Sequence, residues 1–195
     1  MPREFSSHAS FRVSVDQRLR NYAKTAEVPV VAVRRQAALE RLMVRLMETA
    51  PDRWALKGGL ALDTRLGSRA RTSLDMDLDH RYGFDLARED LMRAMGSDLG
   101  DHFSFTLLRV EESREDDVSL AVRFDIAAAV AGQLFETLQV DVTLRPPAAW
   151  EIERVERPGL LAALGLEHLG SARRGFRFQD SNGAFNSPPA ELGAA

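Results

Sequence analysis

Residues 74–79 read Leu-Asp-Met-Asp-Leu-Asp, apolar and acidic in strict alternation. Successive side chains of a β-strand point to opposite faces, so Leu74, Met76 and Leu78 share one face and Asp75, Asp77 and Asp79 the other. Aspartate is disfavoured in strands. Carboxylates repeating along one strand face at roughly 6–7 Å repel one another unless positive charge lies between them. A hard divalent cation, which takes oxygen ligands, is the natural partner. The plain alternative is an exposed strand face of solvated carboxylates. An EF-hand loop is excluded, because its sixth and twelfth positions need Gly and Glu where this chain has His80 and Leu86.

The second chemical feature precedes the first. Trp54-Ala55-Leu56 reads as a short strand ending at Lys57-Gly58-Gly59. Glycines at such a turn let backbone N–H groups approach a phosphate, and a following helix N-terminus adds favourable partial charge. A lone Gly-Gly pair is usually just a turn; its weight comes from the acidic strand downstream. Asp141 completes the set, inside Leu138-Gln139-Val140-Asp141-Val142-Thr143-Leu144. An acid embedded among apolar residues needs a partner. A third carboxylate on a neighbouring strand helps bridge paired metal ions, or draws the proton from an attacking hydroxyl. Asp125, in Arg123-Phe124-Asp125-Ile126, is the rival for that place.

Other chemistries fall away. The chain has no cysteine, which removes disulfides, thiolate zinc sites and cysteine nucleophiles. The P-loop pattern is absent, and His8, His80, His102 and His168 do not pair at ligand spacing. No run reaches the roughly 18 apolar residues of a membrane span, and the N-terminal stretch has no apolar signal segment, so a cytoplasmic protein is expected. Charge is uneven: residues 1–72 carry 14 basic and 7 acidic groups, residues 73–195 carry 12 and 22. A basic half could face a polyanion; more simply, two helices have charged, solvated faces.

The periodicity predicts helices over 14–26, with Ser14 as N-cap, and over 30–50, a strand at 54–56 and a helix over 60–66. The acidic strand follows, then an amphipathic helix over 85–99. Strands are expected at 103–110, 118–127 and 134–144, the first two separated by the acidic stretch 111–117. A last helix is expected over 158–170 and a loose tail from Ser171. This order defines an α/β (α+β) domain with a mixed sheet and helices mainly on one face.

Trp54-Ala55-Leu56-Lys57-Gly58-Gly59-Leu60-Ala61-Leu62 followed by Arg71-Thr72-Ser73-Leu74-Asp75-Met76-Asp77-Leu78 resembles the signature of AbiEii/AbiGii-type nucleotidyltransferase toxins, the MenT-like group included. The upstream helices, through Arg18–Ala23 and Arg35–Leu42, resemble the family too, and the similarity runs from about 14 to about 145. It implies a polymerase-β-like nucleotidyltransferase fold, with a helical segment over 1–52, the catalytic core over 53–147 and a short C-terminal segment over 148–195. It implies the toxin of a type IV-like toxin–antitoxin system that uses Mg²⁺, adds nucleotides from NTP to tRNA 3′ ends, blocks translation and is neutralised by a cognate antitoxin. Position by position, Asp75, Asp77 and Asp141 would be the catalytic, metal-binding carboxylates. Gly58 and Gly59 would cradle the triphosphate, with Ser73, Lys57 and Arg71 beside it. The family's later lysine has no counterpart after Lys57; Arg173, Arg174 or Arg177 would substitute, and Asp180 for a later acid. Two other readings stand beside this one: a degenerate member acting as a binding or regulatory protein, and a D-x-D metal-dependent glycosyltransferase.

Overall fold

The computed structural model describes residues 8–59, 75–114, 120–144, 152–155, 159–166 and 176–179. Helices α1 (His8–Thr25) and α2 (Val30–Thr49) lead into β1 (Trp54–Lys57) and β2 (Met76–His80). Helix α3 (Phe84–Gly96) follows, then β3 (Phe103–Arg114), β4 (Leu120–Val130), β5 (Gln133–Leu144), β6 (Ile152–Val155), the single-turn α4 (Leu160–Ala163) and β7 (Phe176–Gln179). The strands form one mixed sheet in the order β3-β4-β5-β2-β1-β7-β6. β5 runs parallel to β2 and β1 parallel to β7; the other neighbours are antiparallel. The fold is thus the expected mixed α/β sheet with N-terminal helices.

Register explains why one face is core and the other is chemistry. Leu56 lies opposite Leu78, Leu78 beside Val142, and Val142 opposite Val122, and all four are buried. That apolar row continues into one hydrophobic cluster with Leu19 of α1, Leu39, Leu42 and Leu46 of α2, Leu91 of α3 and Leu160 of α4. Because the side-chain period of a strand is two, the same register lines up the polar residues on the opposite face.

Several boundaries move. α1 begins at His8, so Ser14 lies inside the helix instead of capping it. Its buried stripe of Phe11, Val15, Leu19 and Ala23, at four-residue spacing, is what extends the helix backwards. Glu111 and Glu112 belong to β3, which runs on to Arg114; they pair across the ladder with Arg123 and Val122. Part of the supposed loose tail is structured, since Phe176–Gln179 adds to the sheet beside β1. The helix expected over 158–170 is described only as Leu160–Ala163, and that expected over 60–66 lies outside the described residues.

Six arginines of the basic N-terminal helices are engaged within the fold. Arg12 donates to the carbonyls of Val130, Gln133 and Leu134, capping the β4–β5 turn. Arg18 donates to the Leu164 carbonyl. Arg34 and Arg35 face Glu136 at 3.8 and 4.0 Å. Arg41 and Arg45 converge on buried Asp101, each with a 2.7 Å contact. These six side chains thus have partners within the fold.

Candidate active site

Gly58 turns the chain out of β1 with φ +67°, the left-handed region where a Cβ is strained. Any Cβ there would land on the Asp77 carboxylate, 2.9 Å from its Cγ and 3.1 Å from its Cβ. The turn and the acidic strand are therefore packed backbone against side chain, and only glycine permits it. Gly59 begins the next segment, partly buried.

Across the sheet a single register row brings the polar groups together. Lys57 lies opposite Asp77, Asp77 beside Asp141, Asp141 opposite Arg123, and Arg123 opposite Glu111. Neighbouring strands are about 4.8 Å apart, so these side chains stand side by side. They line a cleft of about 520 Å³ together with Glu112, Ala121, Val122 and Thr143.

The charges are distributed unequally. Lys57 Nζ lies 2.9 Å from Asp79 Oδ1 and donates to Thr143 Oγ1 at 2.7 Å, one step along from its register partner. Asp79 is buried, and among the described residues its second oxygen Oδ2 has no hydrogen-bond donor. Arg123 grips Asp141 with both ends: Nε donates to Oδ1 and a terminal nitrogen to Oδ2, each at 2.8 Å. That bidentate bond, with the Asp141 charge, pushes the Arg123 guanidinium up from its ordinary value. Asp77 lies between these two neutralised acids and has no hydrogen-bond partner among the described residues. Burial pushes its carboxyl up; Lys57 opposes this, while Asp141, Asp75 and Asp79 push further.

The expected site residues are only partly assembled. Asp77 and Asp141 meet as cross-strand neighbours. Asp75 is exposed just ahead of β2, close enough for its charge to act on both Asp77 and Arg123. Asp125 lies two residues from Arg123, opposite Gln139, and is held by Arg109 at 3.1 Å. Arg71, Ser73, Arg173, Arg174 and Asp180 lie outside the described residues, as does the side chain of Arg177. Among the described residues no three acidic or histidine groups are close enough to hold a metal ion. Sequence reasoning missed Arg123 and Thr143. The alternation of β4 does place Arg123 on the polar face with Asp125, but nothing local shows that the ladder sets it opposite Asp141.

The model of the nucleotidyl transferase AbiEii toxin family, of type IV toxin–antitoxin systems, matches residues 41–175. With more than half its length matched, the chain belongs to the AbiEii nucleotidyltransferase toxin family. The match runs past Leu144 into the part whose pattern departs from expectation. No curated protein matches the chain. Among solved structures, one from H. pylori, provisionally described as a nucleotidyltransferase, shares 21% identity over 62% of this chain and 52% of its own, with a TM-score of 0.40. A second, JHP933 from Helicobacter pylori, shares 22% over 62% and 48%, with a TM-score of 0.39. The chain thus spans about half the length of each. Among the described residues no helix is long and apolar enough to cross a membrane.

Proposed function

We propose that this chain is a Mg²⁺-dependent nucleotidyltransferase toxin that moves a nucleotide from NTP to the 3′ end of tRNA, blocks translation, works in the cytoplasm and is held in check by a cognate antitoxin. The observation that carries the reading is the pairing of Asp77 with Asp141 beside the Gly58 turn, at the floor of a polar cleft.

The donor chemistry fits a hard cation: the groups are carboxylate oxygens, and Asp77 is crowded by like charge with no hydrogen bond from the described residues to relieve it. Asp75, Asp77 and Asp141 would hold the ion, although Asp141 now gives both oxygens to Arg123. When bound, magnesium supplies charge neutralisation to the attacking and leaving oxygens of the transfer. The chain's own residues do the rest. The Gly58-Gly59 turn offers backbone N–H groups to the triphosphate without a side chain in the way. Lys57 keeps Asp79 neutralised beneath the site, and Arg71 and Ser73 complete the phosphate contacts. Asp141 is placed to accept the proton of the attacking hydroxyl.

The test is to incubate the protein with total tRNA, Mg²⁺ and each labelled NTP in turn, beside Asp77→Asn and Asp141→Asn. Label in tRNA that both substitutions remove supports the reading and names the nucleotide. Label moved instead to a sugar acceptor would favour a D-x-D glycosyltransferase. No label from folded protein would favour a binding protein that has lost turnover.

A further inference from the structure

The cleft contains a conflict that its charges must resolve. The residue best placed to share an ion with Asp77 is Asp141, yet Arg123 occupies both Asp141 oxygens at 2.8 Å. A cation and a guanidinium cannot both have that carboxylate on the same lone pairs. Lys57 cannot relieve the problem, because its ammonium is fixed between Asp79 and Thr143 in a buried corner. Arg123 is different: its side chain is 47% exposed, lines the cleft and projects from the first half of β4, with exposed Glu111 on its far side. A guanidinium at that place can leave Asp141 without unfolding anything, and it matches phosphate oxygens bidentately as well as it matches a carboxylate.

Resting on the nucleotidyltransferase reading, we propose that Arg123 is a charge-exchange residue: it neutralises Asp141 in the nucleotide-free protein, and cedes that carboxylate to the divalent cation while turning its guanidinium to the phosphates of the incoming nucleoside triphosphate. Each partner then gains an opposite charge in one move: cation on carboxylate, guanidinium on phosphate. The exchange makes the metal and the nucleotide bind cooperatively. Metal alone must compete with Arg123, whereas metal with triphosphate gives Arg123 somewhere to go. Cooperativity of this kind is reciprocal, so nucleotide must tighten metal to the same degree as metal tightens nucleotide. Arg123 is thus a positioning and binding residue, and its effect is read in affinities before turnover.

The experiment titrates Mn²⁺, a spectroscopic stand-in for Mg²⁺, into wild-type protein, Arg123→Gln, Arg123→Lys and Asp77→Asn, following free Mn²⁺ by electron paramagnetic resonance with and without a non-hydrolysable NTP analogue. Circular dichroism and thermal melting verify the fold of each. For Arg123→Gln the expected result is Mn²⁺ binding alone that is about threefold to tenfold tighter than wild type. The analogue then binds about tenfold weaker and tightens Mn²⁺ less than it does in wild type. Arg123→Lys, which keeps the charge but loses the fork, falls between. Mn²⁺ affinity unchanged or weakened in both Arg123 variants, or nucleotide coupling as strong in Arg123→Gln as in wild type, overturns the exchange. If wild type binds no Mn²⁺, or binds it as well as Asp77→Asn does, the metal site itself fails and the exchange with it. Binding lost only in Asp77→Asn, with the Arg123 variants like wild type, overturns the exchange alone.

Discussion

At the scale of single residues, the tightest constraint is Gly58. It needs φ +67° and its missing Cβ leaves the space that the Asp77 carboxylate fills. Forcing an L-residue into that conformation costs about 1–2 kcal/mol before any clash. Gly58→Ala is expected to lower stability in urea by at least that much and to reduce transfer steeply, because Asp77 must move. A variant as stable and active as wild type would show that the turn is not packed as described. Asp77 behaves in the opposite way. Its carboxyl is raised by burial, with neighbouring acids adding to the effect of burial and Lys57 opposing it. A raised carboxyl contributes stability that is present at low pH and lost as pH rises through its folded value. At neutral pH, therefore, the ionised group is a burden on the fold. Asp77→Asn is expected to melt at or slightly above the wild-type temperature while losing at least a hundredfold in transfer rate. A large drop in melting temperature would mean that Asp77 serves structure.

At the scale of elements, a second carboxylate ties the C-terminal segment to the helices. Glu40 of α2 accepts the backbone N–H of Leu160 at 2.6 Å and a hydrogen bond from Gln36 at 3.2 Å. Burial raises its carboxyl to about 7 against the opposing pull of the Leu160 amide, Gln36 and Arg41. Folding therefore retains a proton that the unfolded chain releases, so stability falls as pH rises from about 4.5 to about 7. Glu40→Gln is expected to flatten the melting temperature over that window, at roughly 2–4 °C for each kcal/mol recovered. Equal pH slopes for the two proteins would contradict it. The elements also show what sequence could and could not reveal. β2 and β5 were legible because the pleat writes its two faces directly as alternation. β3 was cut short at Val110 because Glu111 and Glu112 suggest solvent, whereas their partners Arg123 and Val122 lie about a dozen residues on. β6 and β7 are four residues each, too short to print a period, and they exist because they pair with each other and with β1.

At the scale of the whole molecule, part of the basic charge of the N-terminal half is structural in the fold. Asp101 is fully buried; burial alone would raise its carboxyl, but the Arg45 hydrogen bonds and the charges of Arg41 and Arg45 hold it below the ordinary value. A depressed carboxyl stabilises above its unfolded value, and that stability is lost as pH falls through its folded one. Asp101→Asn strands two buried guanidinium groups and is expected to cost about 3–5 kcal/mol, measured by urea unfolding at pH 7; a loss under 1 kcal/mol would mean that water already satisfies them. The candidate site was legible where residues carry chemistry in their own stretch of chain, as Asp77 and the Gly58 turn do. Arg123 was hidden because its role depends on which carboxylate the ladder sets opposite it. What the site does is tested most directly by the fate of the phosphates. NTP labelled at the α-phosphate and NTP labelled at the γ-phosphate are incubated separately with protein, Mg²⁺ and tRNA. Nucleotidyl transfer predicts α-label in RNA and γ-label released as pyrophosphate, both abolished by Asp77→Asn. γ-Label in the acceptor, or α-label transfer that persists in folded Asp77→Asn, would contradict it.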